Sequence, residues 1–235
     1  MDFIPISNVG YCHCCRKDTT FTIYGDWLRD TYICKTCGSI PRQRAIQHIL
    51  DKYFLDWQLL KVHESSPSNT FISQWCSDYS YSQFLTGAAL GSLQEGVRCE
   101  NLEKLTFADD YFDLVITQDV MEHVWSPEAA FNSILRVIKP GGAHVFTAPK
   151  HPRMTSSSPR ISVTENGIEY IKEPIYHGNP VGDGRALVTW DYGDTFESLV
   201  SKWTGCPIQT YVIRDKSLGL DGEYLEVFVM RKAGD

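Results

Sequence analysis

Two sets of residues in this 235-residue chain have the types and spacing for chemistry. The first is a pair of cysteine couples, Cys12-x2-Cys15 and Cys34-x2-Cys37, separated by 18 residues. Thiolates spaced in this way on two tight turns converge tetrahedrally on one ion, and zinc is the expected occupant. Cys14 stands inside the first couple, but the two-residue spacing favours the outer cysteines; Cys76, Cys99 and Cys206 follow no such pattern. The N-terminus, Met-Asp-Phe-Ile-Pro-Ile-Ser, lacks the basic and apolar regions of an export signal. The expected compartment is therefore cytoplasmic, where thiols stay reduced and bind metals instead of pairing. The second set is Gln118, Asp119, Glu122 and His123, directly after the apolar run Phe112–Thr117, with Tyr176, His177 and Asn179 further on. Imidazole titrates near neutrality and can take a proton from a bound molecule. A packing role for His123 and a loop-structuring role for His177 are the plainer alternatives.

These residues need a scaffold. Phe112–Thr117 reads as a buried strand. Ser126 reads as a helix N-cap, with Pro127 at the first position and Glu128 complementing the helix dipole. Phe131, Ile134, Leu135 and Ile138 form the buried stripe of that helix, Gly141-Gly142 closes it, and Ala143–Ala148 is the next strand. The unit is strand, polar loop, helix, strand, and its polar residues lie at the carboxyl edge where open α/β sheets bind ligands. Upstream, Leu59–Val62, Tyr79–Leu85 and Val97–Cys99 are expected strands, with a helix through Phe71, Ile72 and Trp75 between the first two. A helix near Thr195–Trp203 precedes two closing strands, Ile208–Arg214 and Tyr224–Arg231. Residues 1–40 read as a zinc ribbon and 41–235 as the sheet domain, interrupted at about 150–190 by a Pro-, Gly- and Ser-rich insertion. Pro41 opens a helix with an apolar face of Ala45, Ile46, Ile49, Leu50 and Tyr53; Arg42 and Arg44 in its first turn are read as solvated.

Three segments carry a family resemblance: Phe112-Asp113-Leu114-Val115-Ile116, Val120-Met121-Glu122-His123-Val124, and Arg136-Val137-Ile138-Lys139-Pro140-Gly141-Gly142. In this order and spacing they resemble class I S-adenosylmethionine-dependent methyltransferases, type 11-like, in a form with an N-terminal zinc ribbon. The resemblance covers roughly residues 56–231. It implies an α/β, Rossmann-like seven-stranded sheet, S-adenosyl-L-methionine as cofactor, and methyl transfer. The implied cofactor contacts are Glu64, Ser65 and Ser66 after the first strand and Gln83 after the second. Asn101 and Leu102 would face the adenine, and Gln118 and Asp119 would lie beneath the methionine portion. Glu64 would meet the cofactor's ammonium group. Two positions depart from the family's pattern. Ser66, Ser68 and Thr70 stand where glycines are usual, although serine resists positive φ and Pro67 removes an N–H. Gln83 stands where an acid usually accepts the ribose hydroxyls. These departures motivate one reading as a non-catalytic partner protein that kept the fold.

Within the resemblance, His123 and His177 become candidate catalytic bases, and Tyr176, His177, Asn179 and Asp191 candidate substrate contacts. Trp190, Tyr192, Tyr170 and Tyr176 crowd one stretch and are read as packing. The net charge of -7 weighs against a nucleic-acid backbone as main partner. The expected acceptor is therefore a small or medium-sized metabolite, with a sugar derivative among the candidates. Residues 10–44 nevertheless hold Arg16, Lys17, Arg29, Lys35, Arg42 and Arg44 against Asp18, Asp26 and Asp30, which keeps an RNA acceptor as the alternative. No apolar run approaches the roughly 20 residues that cross a bilayer, so no membrane partner is expected. The oligomeric state stays open.

Overall fold

The computed structural model describes residues 4–69, 71–165, 167–178 and 184–234. Three strands, β1 (Ile6–Cys12), β2 (Lys17–Ile23) and β3 (Tyr32–Cys34), pair antiparallel in that order. Strand β1 adds to the outer side of the β2–β3 pair, from residues whose alternation is weak. A one-turn helix, α1 (Leu28–Thr31), precedes β3. Helix α2 (Pro41–Tyr53) starts with proline at a position where a missing N–H leaves nothing unpaired, and Gln43 Oε1 accepts the Ile40 N–H at 3.0 Å. Its Ala45, Ile46, Ile49 and Leu50 are buried as expected, while Tyr53 is exposed.

Arg44 is not solvated. It is completely buried, its Nε and Nη2 donate to the Gly219 carbonyl at 3.0 and 2.7 Å, and Nη2 also reaches Tyr32 O at 2.8 Å. Nη1 donates to Ser39 O, and the guanidinium lies 4.8 Å from the centre of the Phe21 ring. The reason is tertiary: the three-stranded sheet packs on the first turn of α2, so an arginine there can satisfy carbonyls that would otherwise be buried unpaired. Gly219, at φ +66, leaves room for this contact; a Cβ would stand 2.6 Å from Phe21 and 2.7 Å from Arg44.

The main sheet takes β4 (Lys61–Ser65), β5 (Asp78–Gln83), β6 (Leu93–Gln94), β7 (Val97–Cys99), β8 (Phe112–Gln118) and β9 (Ile138–Thr147). Helix α3 (Pro127–Val137) joins β8 to β9, capped by Ser126, whose side chain accepts the Ala129 N–H. Within the insertion, β10 (Ser158–Pro159), β11 (Ile161–Thr164), β12 (Gly167–Tyr170), β13 (Tyr176–Gly178), β14 (Arg185–Leu187) and β15 (Trp190–Asp191) pair as 10 with 15, 11 with 12, and 13 with 14. Helix α4 (Phe196–Thr204), β16 (Ile208–Tyr211) and β17 (Val227–Arg231) complete the chain. The strand order is β16-β17-β9-β8-β4-β5-β7-β6, with β4, β5, β7, β8 and β9 parallel and β17 antiparallel between β9 and β16.

Alternation assigns the two faces. Leu114, Ile116, Val145, Val227 and Val229 pack on α2, whereas Val115, Phe146, Phe228 and Met230 meet Phe131, Ile134 and Phe196 of α3 and α4. Two expectations fail here. The helix foreseen through Phe71 to Trp75 shrinks to a 3-10 turn at Ile72–Gln74, because only twelve residues separate β4 from β5 and the first of them are Ser- and Pro-rich. The helix before Gly141-Gly142 ends at Val137, and the glycines lie inside the long strand β9. Gly142 is required there, since a Cβ would stand 2.5 Å from Asp113 O.

Two histidines sit inside this core. His63 lies between Ser80 Oγ and Ser82 Oγ, each at 2.9 Å, and His144 is stacked on Phe146. Burial depresses both pKa values to about 3. A histidine whose folded value lies below its unfolded one, about 6.5, supports the fold above that pH and withdraws support as pH falls. Urea midpoints should therefore drop as pH is lowered from about 6.5 toward 4. His144→Phe should flatten part of the drop; a variant with the wild-type slope would show that His144 is not responsible.

Candidate functional site

The four cysteines singled out by spacing come together. The Sγ atoms of Cys12, Cys15, Cys34 and Cys37 lie within 4.8 Å of one another, and Cys12 and Cys37 are 3.8 Å apart. A tetrahedron of metal–sulfur bonds of about 2.3 Å has edges of about 3.8 Å, so the set can hold a zinc-sized ion. Cys14 is buried outside this set, and its carbonyl accepts from Trp75 Nε1 at 2.8 Å, which fastens the ribbon to the loop before β5.

The carboxyl ends of β4, β5, β8 and β9 are in register: Ser65 pairs with both Ser82 and Thr117, and Gln118 pairs with Thr147. Along this edge Glu64 is buried, accepting from Tyr79 OH at 2.8 Å and Gln118 Nε2 at 2.7 Å. Burial raises its pKa to about 7, against the lowering pull of those two hydrogen bonds. Ser65 is buried at the strand end, and Ser66 takes φ +53, the conformation in which glycine is usual. Gln118 Oε1 is buried with no hydrogen-bond partner among the described residues. Gln83 ends β5, and its carbonyl accepts from Glu100 N at 3.0 Å. Asn101 Oδ1 accepts from Glu103 N at 2.9 Å and so caps the 3-10 turn Leu102–Lys104, while the Leu102 side chain enters the core. Thr70 lies outside the described residues.

Asp119 is tied more tightly than its sequence position suggests. It also takes a positive φ, +52, and its Oδ1 accepts from Thr147 Oγ1 at 2.7 Å. Oδ2 pairs with Arg29 of the ribbon and, at 3.4 Å, with Arg42 of α2. These cations hold its carboxyl below the usual range although burial pushes the other way. Arg29 also donates to the carbonyls of Glu223 and Tyr224. The sequence placed both arginines only in a locally basic stretch, with Arg42 a solvated helix start; Arg42 also pairs with Asp30 at 3.0 Å, while Asp119 is 77 residues away.

One turn further, His123 and His177 meet. Their rings are 5.0 Å apart, edge to face. Glu122 lies between them: Oε1 is 3.7 Å from His123 Nε2 and 3.8 Å from His177 Nδ1. His123 Nδ1 is 2.9 Å from the Leu187 carbonyl, which fixes the proton on Nδ1 and leaves a lone pair on Nε2. Burial drives the Glu122 carboxyl well above its ordinary pKa, with Asp119 adding to the rise, and lowers both imidazoles. The insertion reaches this loop directly, since Thr189 N and Oγ1 donate to the Glu122 carbonyl at 2.8 and 3.0 Å. Tyr176 is exposed beside His177 on β13, and Asn179 lies outside the described residues. Asp191 is engaged elsewhere, accepting from Arg160 and Lys172 within the insertion at 2.8–2.9 Å. Tyr192 is core, its hydroxyl on the Met121 carbonyl at 2.6 Å.

A methyltransferase-domain family model matches residues 70–146, from the first loop through most of β9. Among curated proteins the chain is similar to the ubiquinone/menaquinone biosynthesis C-methyltransferase UbiE of Shewanella woodyi, 40% identical over 57 residues, 23% of this chain and 23% of that protein. The same protein of Shewanella piezotolerans matches with the same figures. The chain thus spans about a quarter of the length of these curated relatives. Among solved structures, an S-adenosylmethionine-dependent methyltransferase from Mesorhizobium loti shares the fold with a TM-score of 0.51 at 14% identity, over 80% of this chain and 98% of that one.

The left-handed serine yields a test. An L-residue in this conformation costs about 1–2 kcal/mol, of which glycine's extra chain entropy would return part. Ser66→Gly should raise the stability of the protein by about 0.5–1 kcal/mol in urea unfolding. A loss of stability would show that the serine hydroxyl contributes more than the strain removes.

Proposed function

We propose, for a chain that carries the class I S-adenosylmethionine-dependent methyltransferase fold, that it methylates a small or medium-sized acceptor seated at Glu122, His123 and His177. One observation carries this reading: two histidines 54 residues apart in sequence are brought edge to face at the carboxyl end of β8, beside the strand ends where ligands bind in this fold. The bound sulfonium would supply an already activated methyl group, so alignment is most of what the protein must add.

Several features fit the cofactor. Ser66 holds the first turn in a glycine-like conformation, and Gln118 Oε1 is a buried acceptor without a partner among the described residues. Glu64, poised at about 7, would ionise beside an ammonium group. Glu64, Ser65, Ser66 and Gln118 would hold the amino-acid end, and Gln83, Asn101 and Leu102 the nucleoside. Arg29 and Arg42 neutralise Asp119 and so keep a carboxylate from repelling an electron-rich acceptor. His123 Nε2, with its lone pair free, is the group at the acceptor end able to draw off a proton. Strand β13 carries His177 and Tyr176 over the opening.

A small acceptor is supported over RNA by the ribbon's own charges. Of the six basic residues in 10–44, Arg16 pairs with Asp51, Arg29 with Asp119, Arg42 with Asp30 and Asp119, and Arg44 is buried. Only Lys17 and Lys35 stay clear of these internal pairings, too few for a phosphate-binding face. Zinc in the four-cysteine set would hold this small domain together, since its own core is slight.

Two measurements test the reading. Calorimetry with S-adenosylmethionine should show binding, and Glu64→Gln should weaken it by about 1–3 kcal/mol, the value of a charge-assisted hydrogen bond. The same variant should be more stable without ligand at pH 8. The raised pKa of Glu64 means that its contribution is intact below about pH 4.5 and lost as pH rises through about 7, a penalty on the order of 3 kcal/mol that glutamine escapes. Absence of binding at millimolar ligand would leave the fold as a non-catalytic partner. For the ribbon, Cys34→Ser should lower zinc to below one ion per chain and destabilise residues near the N-terminus; full occupancy would remove Cys34 from the ligand set.

A further inference from the structure

We infer that Glu122, His123 and His177 form a second metal site, one that takes a divalent cation of the zinc or late first-row kind and presents it to the acceptor. Glu122 is 1% exposed, and both carboxylate oxygens lack a hydrogen-bond partner among the described residues. An acid sealed from water with no donor stays ionised only where a cation joins it; otherwise it holds a proton that an arriving cation would displace. Among the described residues no side-chain donor fills that role: Arg29 is spent on Asp119, and Arg42 on Asp30 and Asp119. The separations of 3.7 and 3.8 Å from Oε1 to the two imidazole nitrogens are too long for hydrogen bonds. They are a few tenths of an ångström wider than the edge, about 3.4 Å, of a tetrahedron with bonds of about 2.1 Å to nitrogen and oxygen.

The surroundings favour ligation. His123 gives its Nδ1 proton to the Leu187 carbonyl, an arrangement that aims the lone pair of the other nitrogen at a metal. The set is two imidazoles and one carboxylate, which suits zinc, iron or cobalt better than magnesium or calcium. Its third ligand, His177, has a side chain 45% exposed, so the ion would keep open positions toward solvent for an oxygen of the acceptor. In that state the histidines serve as ligands, and the acceptor gains acidity by coordination instead of by a free imidazole. This role rests on the proposed methyl transfer; the binding of the ion does not. His177 enters from the insertion and the other two ligands from the loop after β8, so the ion would also pin β13 over the site.

The test titrates cobalt(II) into the full-length protein with its cysteine set already loaded with zinc. Wild type should take up one further equivalent, with the visible bands of cobalt bound by nitrogen and oxygen and without thiolate charge transfer. His177→Ala, on an exposed hairpin, and Glu122→Gln should each weaken that uptake by about tenfold or more. No uptake, uptake unchanged in both variants, or uptake with thiolate bands would overturn the site. S-adenosylmethionine binding measured on the same samples separates the two readings: cofactor binding without cobalt uptake removes the metal site alone, and cobalt uptake without cofactor binding removes methyl transfer alone.

Discussion

The carboxylate of Asp119 is the point at which three parts of the molecule are joined. It ends β8 in a left-handed conformation and is held from one side by Thr147 of β9. From the other side it receives Arg29 of the ribbon and Arg42 of helix α2. A largely desolvated acid with two cations holds best while all partners stay in place, because each charge removed leaves another uncompensated. The direction taken by the loop carrying Glu122 and His123 follows from this joint, and so does the approach of the ribbon to the strand ends.

Arg44 makes the same kind of joint two residues along α2, with carbonyls in place of a carboxylate. Together the three arginines explain why the cysteine-bearing segment is held against this sheet domain. The ribbon is not an appendage on a tether. Its cations complete the polar rim of the crevice, and its β1 runs so close to the loop at Ser217 that Gly10 has no room for a side chain. A change in the cysteine set would therefore reach the acceptor side through Arg29.

The carboxyl edge of the sheet holds three acids with different fates, Glu64 and Glu122 buried and Asp119 partly buried. Asp119 is paired, Glu64 is hydrogen-bonded to neutral Tyr79 and Gln118, and Glu122 is alone among the described residues. On the proposed reading, Glu64 would meet an ammonium group at one end and Glu122 a metal ion at the other.

The sequence alone determined what depends on local spacing. The four cysteines, the capped helix between β8 and β9, most of the core strands as segments and the placing of His123 beside Glu122 all follow from residues close together in the chain, where periodicity and turn chemistry act. Even the serine at a glycine position was legible as a strain, though not that the backbone would accept it at Ser66. The tertiary structure decided what depends on long-range approach. Arg29, Arg42 and Arg44 carry no local sign of the partners they find, since an arginine in a first helical turn looks solvated until another domain packs over it. Asp191, a plausible pocket residue by composition, was claimed by Arg160 and Lys172 within its own insertion. His177 came to His123 only because the Thr189 segment hydrogen-bonds to the Glu122 carbonyl, a contact between residues 67 positions apart that no spacing rule encodes.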